Sequence, residues 1–311
     1  MENAKSTTPQ QLSKPKVCAI VVSFQPDLPH LLALLEKLKL QTSTVLVVDN
    51  GSVARQEIAS AVMALGVHYL QLPSNIGLAA GFNRGIHWAL QQHASHVILF
   101  DQDSLPTPSM LRQLLFAEKQ ILTMGLPLAA LGPAYVDVKS HQMGAVIGPE
   151  RWFTRRKYKP DFAMLIEAGY LISSGQLIRT SVLQKVGLMR EELFIDAVDI
   201  EWSLRARQQG LRNFVVADAL MQHNLGDAKL SIGKTEIALH SPLRHYYIIR
   251  NALLLCRMKH IPWRWKVVDF LKTVRRFFAY LVLCSPRWQH LIWMCRGWRD
   301  GLLGRDGPAQ K

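Results

Sequence analysis

The chain has 311 residues, 49% of them apolar, which is enough for one large domain or two small ones around a real core. Its 37 Lys/Arg outnumber 23 Asp/Glu for a net charge of +14, so an anionic partner is expected: a phosphate-bearing substrate, nucleic acid or a membrane surface. The four cysteines (Cys18, Cys256, Cys284 and Cys295) form no C-x-x-C pair and are not spaced for zinc, which excludes the usual finger and redox motifs and suggests reduced, structural thiols.

Residues 1–15 are polar and lack the apolar run of a secretory signal, so they are expected to be a disordered lead-in. "VCAIVVSF" (17–24) is β-branched and stopped by Pro26, and "LPHLLALLEKLKL" (28–40) carries leucines at helical spacing. "TVLVVDNGS" (44–52) is a second buried strand ending in a turn signal. "ARQEIASAVMAL" (54–65) is a helix closed by Gly66, and "VHYLQLP" (67–73) is a third strand. "LAAGFNRGIHWALQQ" (78–92) is a helix and "HVILF" (96–100) a fourth strand. This alternation with short joints predicts an α/β fold with a mostly parallel central sheet and helices on both faces. Ligands of such sheets bind at the carboxyl ends of the strands. Asp49 and the Asp101-x-Asp103 pair fall there.

No G-x-G-x-x-G follows the first strand and no P-loop is present, so neither a dinucleotide site nor a P-loop is supported. Gly77, Gly81 and Gly85 either let backbone approach a ligand or serve helix–sheet packing. The Asp101-x-Asp103 pair has three readings. Carboxylates at this spacing can share a hard cation, Mg²⁺ or Mn²⁺, that neutralises a substrate diphosphate. They can also open a haloacid-dehalogenase-like phosphatase site with Asp101 as nucleophile, although the position on the fourth strand and the absent later acidic pair disfavour this. The third reading is a solvated turn.

Residues 241–311 hold fourteen Lys/Arg against three Asp/Glu, a net +11, and five of the eight tryptophans. No run reaches the ~18 apolar residues of a spanning helix. Basic residues interleaved with Trp, Phe and Leu suit an amphipathic helix lying on anionic lipid. The aromatics cluster with Leu, Val and Ile and do not form a stacking platform, so nucleic acid is not expected. A helix pair packing on the protein itself is the alternative.

"VVDNGS", "SNIGLAAGFNRGI", "LFDQDSLP", "LISSGQLI", "ELFIDAVDIEWSLRAR", "MQHNLGD" and "HSPLRHYYIIRN" together resemble the family-2 glycosyltransferases of the GT-A fold, and within them the bacterial L-rhamnosyltransferases, over residues 17–304. The resemblance implies a catalytic domain over 16–240 and a donor, dTDP-β-L-rhamnose. It implies a hydroxyl acceptor on a lipid-linked saccharide or glycolipid, of O-antigen, surface-polysaccharide or rhamnolipid type. The site would lie on the cytoplasmic face of the bacterial inner membrane, with the basic tail (241–311) as a peripheral anchor. It further implies Asp49, Asn75, Gly77 and Asp101 at the donor and Asp103, His223 and Asp101 at the Mg²⁺ or Mn²⁺. Asp199 becomes the catalytic base, and Ser174, Gly175 and Asp196 lie on the acceptor side.

Inversion at an anomeric carbon needs a carboxylate to take the acceptor proton and a positive group on the leaving diphosphate. A helix from about Val198 to Gln209 would be capped by Asp196 and would carry Asp199 in its first turn, where the helix field should lower the carboxyl pKa. Arg244 and Arg250 could reach diphosphate oxygens or simply begin a basic helix. "RWFTRRKYKP" (151–160) is expected to border the acceptor or to be a solvated loop. The competing class is a basic membrane-surface protein with a degenerate, non-catalytic sugar-nucleotide fold.

Overall fold

The computed structural model describes residues 15–137, 144–149, 155–156, 165–223, 228–232 and 235–310. The expected lead-in (1–15) therefore lies almost wholly outside the described residues, as do most of 151–160 and the side chain of His223. The elements run β1 (Val17–Ser23), α1 (Leu28–Lys39), β2 (Thr44–Asp49), α2 (Arg55–Ala64), β3 (His68–Gln71), α3 (Leu78–Gln91), β4 (His96–Asp101), β5 (Ser104–Pro106) and α4 (Met110–Thr123). They continue through β6 (Leu128–Asp137), β7 (Val146–Ile147), β8 (Arg155–Arg156), β9 (Leu165–Ala168), β10 (Gln176–Arg179), α5 (Thr180–Val186), α6 (Val198–Gln208) and β11 (Arg212–His223). The chain closes with β12 (Ala228–Ile232), β13 (Thr235–Leu239), α7 (Pro242–Arg257), α8 (Trp263–Leu283) and α9 (Arg287–Leu303).

The main sheet has the order β3-β2-β1-β4-β10-β6-β11-β5, with β9 also on β11. The first four strands in this order are parallel, and β10 then runs antiparallel to both β4 and β6. All seven residues of β1 are buried, and successive side chains face opposite layers. Cys18, Ile20 and Val22 join Phe82, Ile86 and Trp202 on one face. Val17, Ala19 and Val21 join Leu31, Leu34, Leu114 and Ile121 on the other. A strand buried on both faces explains why its sequence reads as an unbroken apolar run instead of an alternation.

β1 has β2 on one side and β4 on the other, so the chain reverses its direction of travel across the sheet there. Their carboxyl ends frame a crevice, the usual ligand position in open α/β sheets. The register sets Ser23 beside Asp49, and Val22 beside Asp101. The absence of a side chain at Gly85 makes the layer possible, because a Cβ there would meet Ile20 Cγ2 at 2.3 Å.

The sequence boundary near residue 240 falls at the start of α7, yet this helix is largely buried, from His245 through Leu255. α7 packs against α8 and α9, and a small separate cluster of Ile249, Tyr280, Cys284 and Met294 lies between the three. None of the described helices is long and apolar enough to cross a membrane.

Candidate active site

The loops after β2 and β3 are joined side to side. Asn50 Nδ2 donates to Asn75 Oδ1 (3.1 Å), Asn75 Oδ1 also accepts from the Gly77 N–H (3.0 Å), and Asn50 Oδ1 accepts from the Ile76 N–H (2.9 Å). Gly51, at φ +83°, presses on the Ser74 backbone, where a Cβ would come within 2.5 Å. Asp49 is fully buried, and its carboxylate accepts from the Ser52 hydroxyl and the Ser52 N–H. Asp49, Asn75 and Gly77 thus form one rigid corner of the crevice. Gly77 sits at φ +95°, and Phe194 lies against it, 2.7 Å from where a Cβ would stand.

The second corner is acidic. β4 ends at Asp101, and the following turn carries Gln102 and Asp103 into β5. Gln102 accepts from the Phe24 N–H at 2.8 Å, which ties the turn to the end of β1. Asp27, His30, Gln102 and Asp103 line a cleft at this rim. β5 pairs antiparallel with the end of β11 and sets His223 opposite Ser104, so the backbone brings His223 next to Asp103.

Asp199 reaches this corner from α6. Its Oδ2 accepts from the Ser173 N–H (3.1 Å) and its Oδ1 from the Ile200 N–H (2.8 Å). The next residue, Ser174, accepts at Oγ from the Asp101 N–H (3.0 Å). One dipeptide therefore holds both acids. Burial pushes the Asp199 carboxyl up to about 6, with the charges of Asp101 and Asp196 adding to the rise and the two N–H donors opposing it. The expected lowering by the helix field is overturned, because desolvation and like charge outweigh one helix terminus.

Three further expectations change. Asp196 does not cap α6. The cap position is Ala197, at φ +62° with no side-chain bond, and Asp196 instead pairs with Arg244 at 3.1 Å. Ser174 and Gly175, expected on the acceptor side, are buried beneath the acidic corner, where Ser174 Oγ is taken by the Asp101 N–H. A Cβ on Gly175 would meet Pro133 at 2.5 Å. Arg250 does not point at a diphosphate: its side chain is 0% exposed, and its guanidinium donates to the carbonyls of Glu192, Leu193 and Gly307 and to Asn251 Oδ1.

That grip matters for Asp199. Phe194, Asp196 and Ala197 all have φ near +60°, a conformation that costs ~1–3 kcal/mol at each such residue and persists only where its surroundings impose it. α7 supplies the surroundings. Asn251 Nδ2 lies within hydrogen-bond distance of the Leu193, Ile195 and Asp196 carbonyls (2.9, 2.7 and 2.9 Å), and Tyr247 stacks on Phe194 at 4.9 Å. The Phe194 carbonyl in turn accepts from the Leu78 and Ala79 N–H groups, capping α3. Asn251→Ala would remove the side-chain donor of the Ile195 and Asp196 carbonyls, at ~1–3 kcal/mol each. The variant is expected to melt lower and to lose turnover with little change in donor KM. A variant as stable as the parent, with parental turnover, would show that the loop holds itself.

Residues 18–187 match the model for Glycosyl transferase family 2. The chain is 33% identical over 250 residues, 79% of its own length and 81% of the relative's, to the dTDP-rhamnosyl transferase RfbF of Shigella flexneri. Among solved structures it is similar to S. aureus TarS 1-349 in complex with UDP-GlcNAc (TM-score 0.57, 17% identity, 93% of this chain and 81% of that one). It is also similar to GalNAc-T7 with UDP, GalNAc and Mn2+ (TM-score 0.57, 10% identity), covering 88% of this chain and 59% of that one. A longer TarS chain is matched over 47% of its length, so this chain spans about half of it. At such identities the structures speak for the fold alone, and the fold is that of GT-A transferases. With the acidic corner at the sheet's switch point, the family match and the curated relative agree: the chain belongs to glycosyl transferase family 2 and is a glycosyltransferase of the GT-A fold.

Proposed function

We propose that the protein transfers L-rhamnose with inversion from dTDP-β-L-rhamnose to a hydroxyl of a lipid-linked saccharide or glycolipid. The observation that carries the reading is the convergence of Asp101 and Asp199 on the Ser173–Ser174 dipeptide. The 33% identity to a dTDP-rhamnosyl transferase supports the donor. A phosphatase with Asp101 as nucleophile and a non-catalytic module both fit the family match less well.

Asp199 is the base. It takes the proton of the acceptor hydroxyl as that oxygen attacks the anomeric carbon from the face opposite the departing dTDP. Its raised pKa near 6 lets it hold that proton at the end of the step while remaining mostly ionised at neutral pH. Asp103, Asp101 and His223 would hold Mg²⁺ or Mn²⁺, which when bound neutralises the leaving diphosphate. The carboxylate set suits a hard cation, and the repulsion that Asp101 exerts on Asp199 is the local negative field a cation would relieve. The linked 49–52 and 74–77 loops would receive the nucleotide.

α8 carries Trp263, Val267, Phe270, Leu271, Phe278 and Val282 exposed along one face, opposite its buried Trp265, Thr273 and Tyr280. Trp288, Ile292 and Leu303 make a similar face on α9. Exposed apolar faces on a strongly basic segment suit an anionic bilayer, and we place them on the cytoplasmic leaflet of the inner membrane, where a lipid acceptor would be met.

The direct test is incubation with a panel of nucleotide sugars and lipid acceptors, read by mass spectrometry. A deoxyhexose added only from dTDP-L-rhamnose supports the reading, and transfer from another donor instead overturns it. Asp199→Asn should lower kcat by ~10²–10⁴. Ionisation of Asp199 activates it, so kcat/KM of the parent enzyme should climb with pH through about 6, and the residual activity of the variant should lack that limb. The same acid limb in both would assign the base elsewhere. The protein should also sediment with phosphatidylglycerol vesicles, with partial release by salt and weaker sedimentation for Leu271→Ser/Phe278→Ser. Unchanged sedimentation of that double variant would remove these faces from the bilayer.

A further inference from the structure

Away from the acidic corner, three ligand-type side chains from three successive helices meet in one buried place. His245 lies in α7, Cys284 directly follows α8, and His290 lies in the first turn of α9. All three are buried, and one ligand atom of each lies within 4.8 Å of the others. The two imidazoles face each other through Nδ1, 2.9 Å apart. Tyr280 stacks on His245 with ring centroids 3.7 Å apart, which fixes the plane of that ring.

We propose that His245, Cys284 and His290 form a second, structural cation site, selective for a borderline-soft divalent ion of which zinc is the type case. A tetrahedral zinc has Zn–N of about 2.0–2.1 Å and Zn–S of about 2.3 Å, so its ligand atoms stand roughly 3.3–3.7 Å apart. The ligand atoms, within 4.8 Å of one another, would have to close toward that spacing, and the Nδ1–Nδ1 hydrogen bond would open as both imidazoles turn to the ion. Two nitrogens and a sulfur would discriminate against the Mg²⁺ or Mn²⁺ expected at Asp101 and Asp103, because hard ions prefer oxygen. Among the described residues no fourth protein ligand joins the group, so a water would complete it.

A cation that bonds the sulfur would displace the Cys284 thiol proton, and neutral imidazoles would supply the two nitrogens. Binding would release that proton and tighten as pH rises. Arg244 and Arg276 oppose a bare cation, but Arg244 is paired with Asp196 and the thiolate contributes the compensating charge.

The location gives the site a purpose. The cluster joining α7, α8 and α9 is small, and small cores are commonly stapled by a metal. α7 is also the helix whose Asn251 and Arg250 hold the loop before Asp199. A staple there would stiffen the support of the catalytic base without touching substrate.

The test uses the full chain, stripped with chelator and returned to excess Mg²⁺ so that the carboxylate site is filled. Calorimetric titration with Zn²⁺ should show one ion per chain, with proton release and a higher melting temperature. Cobalt(II) should give a thiolate-to-metal absorption band. Cys284→Ser should abolish the band, and His290→Gln should weaken Zn²⁺ binding by roughly 100-fold or more, since even outer-shell changes cost about 10–100-fold. Asp103→Ala should leave the stoichiometry intact. The absence of saturable one-to-one binding in the parent protein, or binding and absorption unchanged in both ligand variants, would overturn the site. Using two variants on different helices guards against a single one that fails to fold.

Discussion

The working end of this molecule is built around two carboxylates, Asp101 and Asp199, held together in a buried corner where burial first, and the Asp101 charge in addition, raise the proton affinity of Asp199. Like charges in a partly dried crevice do not stay together unaided. The Ser173–Ser174 dipeptide imposes the arrangement. Its first N–H binds Asp199, and its second hydroxyl receives the N–H of Asp101. The dipeptide can do so because β10 starts immediately afterwards and runs antiparallel to β4, with Gln176 opposite Leu99. Sheet register, a backbone property, thereby contributes to a proton affinity, and that proton affinity would suit the base proposed at Asp199.

The same arrangement asks for rigidity behind Asp199, and the C-terminal segment provides it. Phe194, Asp196 and Ala197 adopt left-handed backbone conformations that L residues avoid. Arg250 and Asn251 hold the segment through the carbonyls of Glu192, Leu193, Ile195 and Asp196, and the Gly307 N–H closes the arrangement by donating to the Glu192 carbonyl. A buried guanidinium is tolerated because carbonyl oxygens and the faces of Tyr246 and Tyr247 surround it. The exposed faces of α8 and α9 belong to the same helical unit, so the surface proposed for lipid and the brace behind Asp199 would be mechanically continuous.

Much of this was legible in the sequence, for identifiable reasons. The parallel half of the sheet announced itself through uninterrupted apolar strands and leucine-spaced helices, Asp49, Asp101 and Asp103 stood out as acids where such a sheet ends, and Asp199 was marked by the family resemblance in the first turn of a helix. Motifs at "ISSG" and "FIDAVDIEW" marked segments that the fold brings together, through the Ser173 N–H and Asp199. Their residue-level roles were less readable. Asp196 looked like a helix cap, because nothing local reveals that the cap residue is an alanine in a left-handed conformation or that Arg244, 48 residues later, takes the carboxylate. Arg250 looked like a phosphate ligand, since a basic residue on an amphipathic pattern gives no hint that its partners are distant carbonyls. Cysteine spacing was silent about Cys284, whose neighbours His245 and His290 come from other helices. In each case the missing information is a long-range contact, which periodicity and capping rules do not carry.

The central claim is that the acidic corner binds a dTDP-sugar through a cation and keeps Asp199 for the acceptor. Calorimetric binding of dTDP-β-L-rhamnose, with and without Mn²⁺, tests it most directly when run on the parent protein, Asp103→Ala and Asp199→Asn. The account predicts cation-dependent binding that Asp103→Ala loses and Asp199→Asn keeps. Cation-independent binding that survives in Asp103→Ala, or binding lost in Asp199→Asn alone, would contradict it.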